Sequence, residues 1–253
     1  MAGNFIFSTS FATATGVASS SNSSFPAANV ADYTHPYRPW KATNLSSGST
    51  YAGLDLGGST SVAAIVVDRV NVSSVRVSYG SSFPGTTLGT VTVNQDVWDG
   101  RYKLYIAAGV SARYWYVTAN TSTSNDGQSV MSIGGIAALT SVTQWAVNPS
   151  GNVEFTPRTA VRLNDDFSSG AMEPVRLGNP TAEVVIASPV TPLTSQSDIG
   201  ALVRIDSATP VVFYRNLSST AEVYIAYLRG FTTTRQTGPN NLEMGQVIFR
   251  EVV

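Results

Sequence analysis

Ser74-Val-Arg-Val-Ser-Tyr-Gly80 is the stretch that settles the fold class. Val75, Val77 and Tyr79 fall on one face and Arg76 and Ser78 on the other, the two-residue period of a strand with one side in a core. The same period returns outward along the chain. Tyr102, Leu104 and Ile106 alternate with Lys103 and Tyr105, and Arg113-Tyr-Trp-Tyr-Val-Thr118 is aromatic or β-branched almost throughout. Further strands are expected over Ala182–Ser188, Ala201–Asp206, Val211–Arg215, Ala221–Arg229 and Met244–Val253. Turn sequences punctuate them, among them Phe83-Pro-Gly85, Asp99-Gly100, Asn125-Asp-Gly127 and Gly238-Pro-Asn240. No window of about ten residues or more carries apolar residues at helical spacing. Short strands at intervals of roughly 8–12 residues, so punctuated, specify an all-β sandwich or jelly-roll architecture.

Composition narrows the chemistry. Charged residues make up 12% of the 253, against about 25% in an ordinary soluble domain. Serine (32) and threonine (27) take their place. With no cysteine, disulfide scaffolds, thiolate zinc sites, iron–sulfur clusters and thiol catalysis are excluded. A net charge of −1 without a basic stretch argues against nucleic-acid partners. The longest aliphatic run, Val62-Ala-Ala-Ile-Val-Val67, falls far short of the ~20 residues of a membrane-spanning helix, so no membrane insertion is expected. The N-terminus lacks a basic leader segment, which points to synthesis in a bacterial cytoplasm. Thirteen Arg stand against two Lys, a bias suited to subunit interfaces and hence to a homo-oligomer.

The turn cluster Asn148-Pro-Ser-Gly151 marks the expected boundary, with one β-domain over residues 1–148, including an N-terminal arm, and a second β-sandwich over 152–253. The last segment, Gly245-Gln-Val-Ile-Phe-Arg-Glu-Val-Val253, carries apolar residues on both faces, so it is expected to form a strand with at least one face or edge covered, by its own chain or by a neighbouring subunit.

Pro26-Ala-Ala-Asn-Val-Ala-Asp32, Trp40 and Tyr51-Ala-Gly-Leu-Asp-Leu-Gly57 follow one another in the order of the discoidin-like (galactose-binding-like) jelly roll, which this region resembles. Val62–Val67, Ser74–Ser82, Ala112-Arg-Tyr-Trp-Tyr-Val117 and Ser132-Ile-Gly-Gly-Ile-Ala137 continue the resemblance over roughly residues 20–140. Tyr51 stands where that family has Trp, and Asp32 lacks the following Gly of its calcium loop. The end of the chain, Tyr224–Phe231 through Gln246–Val253, resembles phage virion proteins that join such a module to a β-sandwich. These resemblances imply a discoidin-like jelly roll followed by a second antiparallel β-sandwich. They also imply a non-enzymatic structural subunit of a phage particle (tail, baseplate or capsid exterior), located in the virion beside other virion proteins and copies of itself. The alternative they imply is a carbohydrate-binding module for host-surface glycans or within a secreted protein.

Asp32-Tyr-Thr-His-Pro-Tyr-Arg-Pro-Trp40 concentrates three aromatics, the only His, an Arg and an Asp in a loop with two prolines. An aromatic ring can stack on the C–H face of a pyranose while charged side chains bind its hydroxyls. Asp32, His35, Tyr37, Arg38 and Trp40 are therefore the candidate ligand-binding residues. The competing reading has Trp40 and Tyr37 plugging the end of the core. A Ser/His/Asp set can be written from His35, but no Gly-x-Ser-x-Gly elbow accompanies it, so no catalytic residue is assigned. Asp165 and Asp166 are adjacent and read as a turn, and would face apart in a strand, unlike the paired carboxylates of a glycosidase. A calcium site could draw on Asp32 with the Thr34 hydroxyl or nearby carbonyls, but too few carboxylates are nearby to assign one. No metal or cofactor is expected.

Overall fold

The computed structural model describes residues 6–95, 101–144, 153–158, 161–166, 171–176, 181–186, 190–192, 209–214, 223–231, 234–238, 241–244 and 247–251. In chain order the strands begin with β1 (Ile6–Ser8), β2 (Thr15–Ala18), β3 (Trp40–Lys41), β4 (Tyr51–Asp68), β5 (Ser74–Gly80), β6 (Thr86–Thr92) and β7 (Asn94–Gln95). There follow β8 (Tyr102–Ala119), β9 (Ser132–Ile133), β10 (Gly135–Leu139), β11 (Thr143–Gln144), β12 (Val153–Arg158), β13 (Val161–Asp166) and β14 (Ala171–Arg176). The last are β15 (Thr181–Ile186), β16 (Val190–Pro192), β17 (Pro210–Tyr214), β18 (Val223–Phe231), β19 (Thr234–Gly238), β20 (Asn241–Met244) and β21 (Val247–Glu251). Among the described residues the one helical element is a 3₁₀ turn, Ala27–Ala31. The chain is all-β, as the two-residue period implies, and its strand pairs are antiparallel.

The first sheet runs β10-β4-β8-β5-β6, with β2 beside the first part of β4 and β7 beside the first part of β8. Its two central strands are 18 residues long and irregular in the middle. Asp55 pairs with Tyr114 and Thr60 with Ala112, so four residues of β4 (56–59) stand opposite Arg113 alone. Gly57, at φ 73°, takes the left-handed turn that this excursion needs. Beyond it the sheet folds back on itself, and the two halves enclose one core. Ala52, Leu54, Val75, Val77, Trp115 and Val117 come from the first half, and Ile65, Val67, Leu104, Ile136 and Ala138 from the second.

A second irregularity, between Val62 and Ala64, changes the parity of β4. Val62 joins Ile65 and Val67 in the first core, while Ala64 and Val66 turn to the other face. There, with Tyr105, Ala137 and Leu139, they meet Ile6, Val212, Val223 and Ile225 of the second sheet. The aliphatic run Val62–Val67 is therefore continuous because this half-sheet is the middle of three layers, buried on both faces.

The second sheet has the order β11-β1-β17-β18-β21-β15-β12. Here the expected division needs correction. β1 pairs with β17 (Phe7 opposite Phe213) and β11 pairs with β1, so residues 6–8 and 143–144 supply strands to the second sheet, not to an arm of the first sandwich. The reason is apolar matching: Ile6 and Phe7 are buried, and Ile6 packs with Val212, Val223 and Ile225 of the second sheet. The terminal segment forms β21, covered on both edges by strands of its own chain, β18 and β15. Asp165 and Asp166, read as a turn, end strand β13 of the hairpin β13–β14. The strand expected over 201–206 lies outside the described residues.

Candidate functional site

Pro26 enters the turn Ala27–Ala31 in an extended conformation, and Val30 seats the turn in the core. The chain leaves through Asp32, whose N–H donates to the Asn29 carbonyl (3.2 Å). Two more turns follow, the His35 N–H to the Asp32 carbonyl (3.1 Å) and the Arg38 N–H to the His35 carbonyl (2.9 Å). The Asn29 side-chain amide donates to the Pro39 carbonyl (3.2 Å) and closes the neck of the loop. At its base Tyr33 stacks on Phe11, with ring centroids 4.6 Å apart, against the second core.

Trp40 corrects the candidate set. It is wholly buried, packs in the first core and donates its indole Nε1–H to the Ser20 carbonyl (3.0 Å) and the Ser21 hydroxyl (3.1 Å). Strand β3 holds it opposite Ile133. Its ring has no face left for a ligand, and it supports the loop from beneath.

The other four candidates stand at the surface together. Tyr37, at 44% exposure, is the one large hydrophobic side chain exposed among the described residues. His35 meets it edge-on at 5.7 Å, and the Arg38 guanidinium lies 5.6 Å from its centroid. His35 Nδ1 lies 2.9 Å from both Asp32 carboxylate oxygens, and the Thr34 hydroxyl donates to Oδ1 at 2.7 Å. Partial burial pushes the Asp32 carboxyl up, but the hydrogen bonds from His35 and Thr34 outweigh it and hold it below its ordinary value. The site thus offers a flat apolar ring, an anionic acceptor and a guanidinium donor. It is not a proton relay: Thr34 and Asp32 both face Nδ1, whereas a relay needs its two partners on different ring nitrogens. Among the described residues no three His, Asp or Glu side chains converge as metal ligands.

A shallow cleft of about 250 Å³ adjoins the loop, lined by Arg69, Val70, Asn71, Arg101 and Tyr102. The two meet at Gly134, where a Cβ would lie 2.8 Å from the Pro36 carbonyl oxygen and 3.0 Å from Arg69 Cβ. Sequence reading passed over these cleft residues. Arg69 holds a left-handed φ of 55°, rare for a residue with a side chain, and nothing in its sequence neighbourhood announces that; only the turn Asp99-Gly100 hinted at a loop here.

No protein-family model matches the chain, and no curated protein matches it. It is similar over 52% of its length to a family 89 glycoside hydrolase from Clostridium perfringens (13% identity, TM-score 0.40), of which the match spans 14%. It is similar over 51% of its length to the family 32 carbohydrate-binding module of C. perfringens NanJ in complex with galactose (14% identity, TM-score 0.41, 93% of that chain). A fucose-binding module from Streptococcus pneumoniae is similar over the same share (12% identity, TM-score 0.39, 95% of that chain). At these identities the chain is assigned to none of these families.

Proposed function

We propose that this protein is a non-catalytic glycan-binding β-sandwich whose ligand sits on the Asp32–Arg38 surface of the loop. One observation carries the reading: Tyr37 stands exposed on a loop pinned at its neck, with Arg38 and the His35–Asp32 pair beside its ring. A ring flanked by a donor and an acceptor suits a pyranose, whose C–H face stacks on the ring while its hydroxyls meet the charged groups. The adjoining cleft extends the surface beyond one sugar unit.

Galactose and fucose, the sugars of the similar modules, are the first probes. Calorimetric or NMR titration should give saturable binding that Tyr37→Ala weakens at least about tenfold (about 1.4 kcal/mol), with folding unchanged. A glycan array with no hit, or full binding by Tyr37→Ala, overturns the reading.

A second reading places the chain in a phage particle, in contact with other virion proteins and with itself. Its support is the excess of Arg over Lys at low total charge, a composition that suits buried interfaces. Mass spectrometry of purified particles tests it, and absence of the chain from them overturns it.

A further inference from the structure

At the folded end of the first sheet, away from the loop, lies a second cleft of about 300 Å³. It sits where residues 56–59 stand opposite Arg113 alone. Tyr79 forms its apolar wall, itself tilted against Trp115 at 5.4 Å in the core. Ser59, Ser81 and Ser111 bring three hydroxyls from three separate elements. Arg113 completes the lining and is held in place rather than waving in solvent. Its Nε and Nη2 donate to the two Asp55 oxygens at 2.8 and 2.9 Å, and the Gly57 N–H donates to Oδ1 at 2.8 Å. The guanidinium also lies 4.8 Å from the Tyr114 ring centroid.

This arrangement has three consequences. Bulges of this kind re-aim side chains and gather beside binding sites, and here the excursion leaves Arg113 without a one-to-one register partner on β4, its side chain pairing with Asp55 instead. The Asp55–Arg113 pair cancels its own charge, so the wall selects for neither anions nor cations. The Arg113 guanidinium brings N–H donors, and the serine hydroxyls bring both donors and acceptors, the complement that neighbouring sugar hydroxyls require. The volume is at the lower end of small-molecule pockets.

We propose that this cleft is a second binding site, for a neutral polyhydroxylated ring of monosaccharide size. The site stands apart from the loop site: Ser59 and Asp68 are nine residues apart on β4, roughly 30 Å of extended chain. It does not rest on the glycan-binding reading of the loop.

The test is an NMR titration of the full chain with galactose, glucose and N-acetylglucosamine, following the amides of Ser59, Tyr79, Ser81, Ser111 and Arg113. Saturable shifts there, with Kd on the order of 1 mM, are expected. Ser111→Trp, which fills the cleft from an exposed position, and Arg113→Met should each weaken binding at least about tenfold, while Tyr37→Ala leaves these shifts in place. Absence of saturable shifts, shifts confined to residues 32–40, equal binding by Ser111→Trp and Arg113→Met, or a response to sodium acetate instead of sugar would each overturn the proposal. Loss of loop binding alone leaves this site standing and removes only the first.

Discussion

Trp40 and Tyr37 are three residues apart in one loop, yet the structure gives them opposite tasks, and substitution separates these. The Trp40 side chain is wholly buried. An indole of about 200 Å², at about 25 cal/mol per Å², is worth up to about 5 kcal/mol of transfer free energy. Trp40→Ala should therefore destabilise by about 3–5 kcal/mol, within the range of large-to-small aromatic substitutions in cores. Trp40→Phe keeps most of the apolar contact but leaves the Ser20 carbonyl and Ser21 hydroxyl without their indole donor, a loss of about 1–2 kcal/mol. Urea unfolding followed by far-ultraviolet circular dichroism measures both, provided the slope m stays constant and a second probe gives a coincident transition. Trp40→Phe should keep sugar binding, and Tyr37→Ala should lose it with stability within about 0.5 kcal/mol of wild type. A Trp40→Ala protein as stable as wild type refutes the supporting role. So does a Trp40→Phe protein that loses binding as completely as Tyr37→Ala.

Three further outcomes follow from the packing. Gly53→Ala places a Cβ into the Trp115 carbonyl oxygen and 3.1 Å from Tyr116 Cα on the adjoining strand; backbone cannot step aside there, so insoluble protein or a loss above about 3 kcal/mol is expected in urea unfolding, and a stable variant contradicts the close approach of β4 to β8. Hydrogen bonds from Arg113 and the Gly57 amide hold the Asp55 carboxyl at about 2, below its ordinary 3.8. Because the folded value is the lower one, the pair's contribution is complete above pH 3.8 and is lost as pH falls through about 2. A carboxylate NMR titration should find that midpoint and see it rise in Arg113→Met, whereas a midpoint at 3.8 or above contradicts the pairing. Deleting residues 247–253 removes β21 from between β18 and β15 and exposes two strand edges; the truncated chain should be insoluble, and a soluble, folded product would show that the second sheet does not depend on that strand.

Parts of the site were legible in the sequence and parts were not. The nonamer Asp32–Trp40 stood out because so many interaction-prone side chains share one short loop. Its chemistry alone could not say which aromatic faces water, since Trp and Tyr both pack and both bind. That was decided by Asn29 tying the neck at Pro39 and by β3 pinning Trp40 opposite Ile133. The Asp55 side chain accepts from the Gly57 amide, two positions on and within reach of local reading. Its second partner, Arg113, lies 58 positions away and came into view only with the strand register.

The amino-acid sequence by itself determined the strands, the turns between them and the all-β class, because alternation and turn residues act over a few neighbouring positions. It also held, in Val62–Val67, the mark of a strand buried on both faces. What covers those faces was decided only in three dimensions. β1 finds β17 across some two hundred residues, the first sheet folds at residues 56–59 to close its own core, and both clefts gather residues from separate elements. Such pairings depend on which apolar surfaces and unpaired backbone groups remain once the local structure has formed, and that choice belongs to the whole chain.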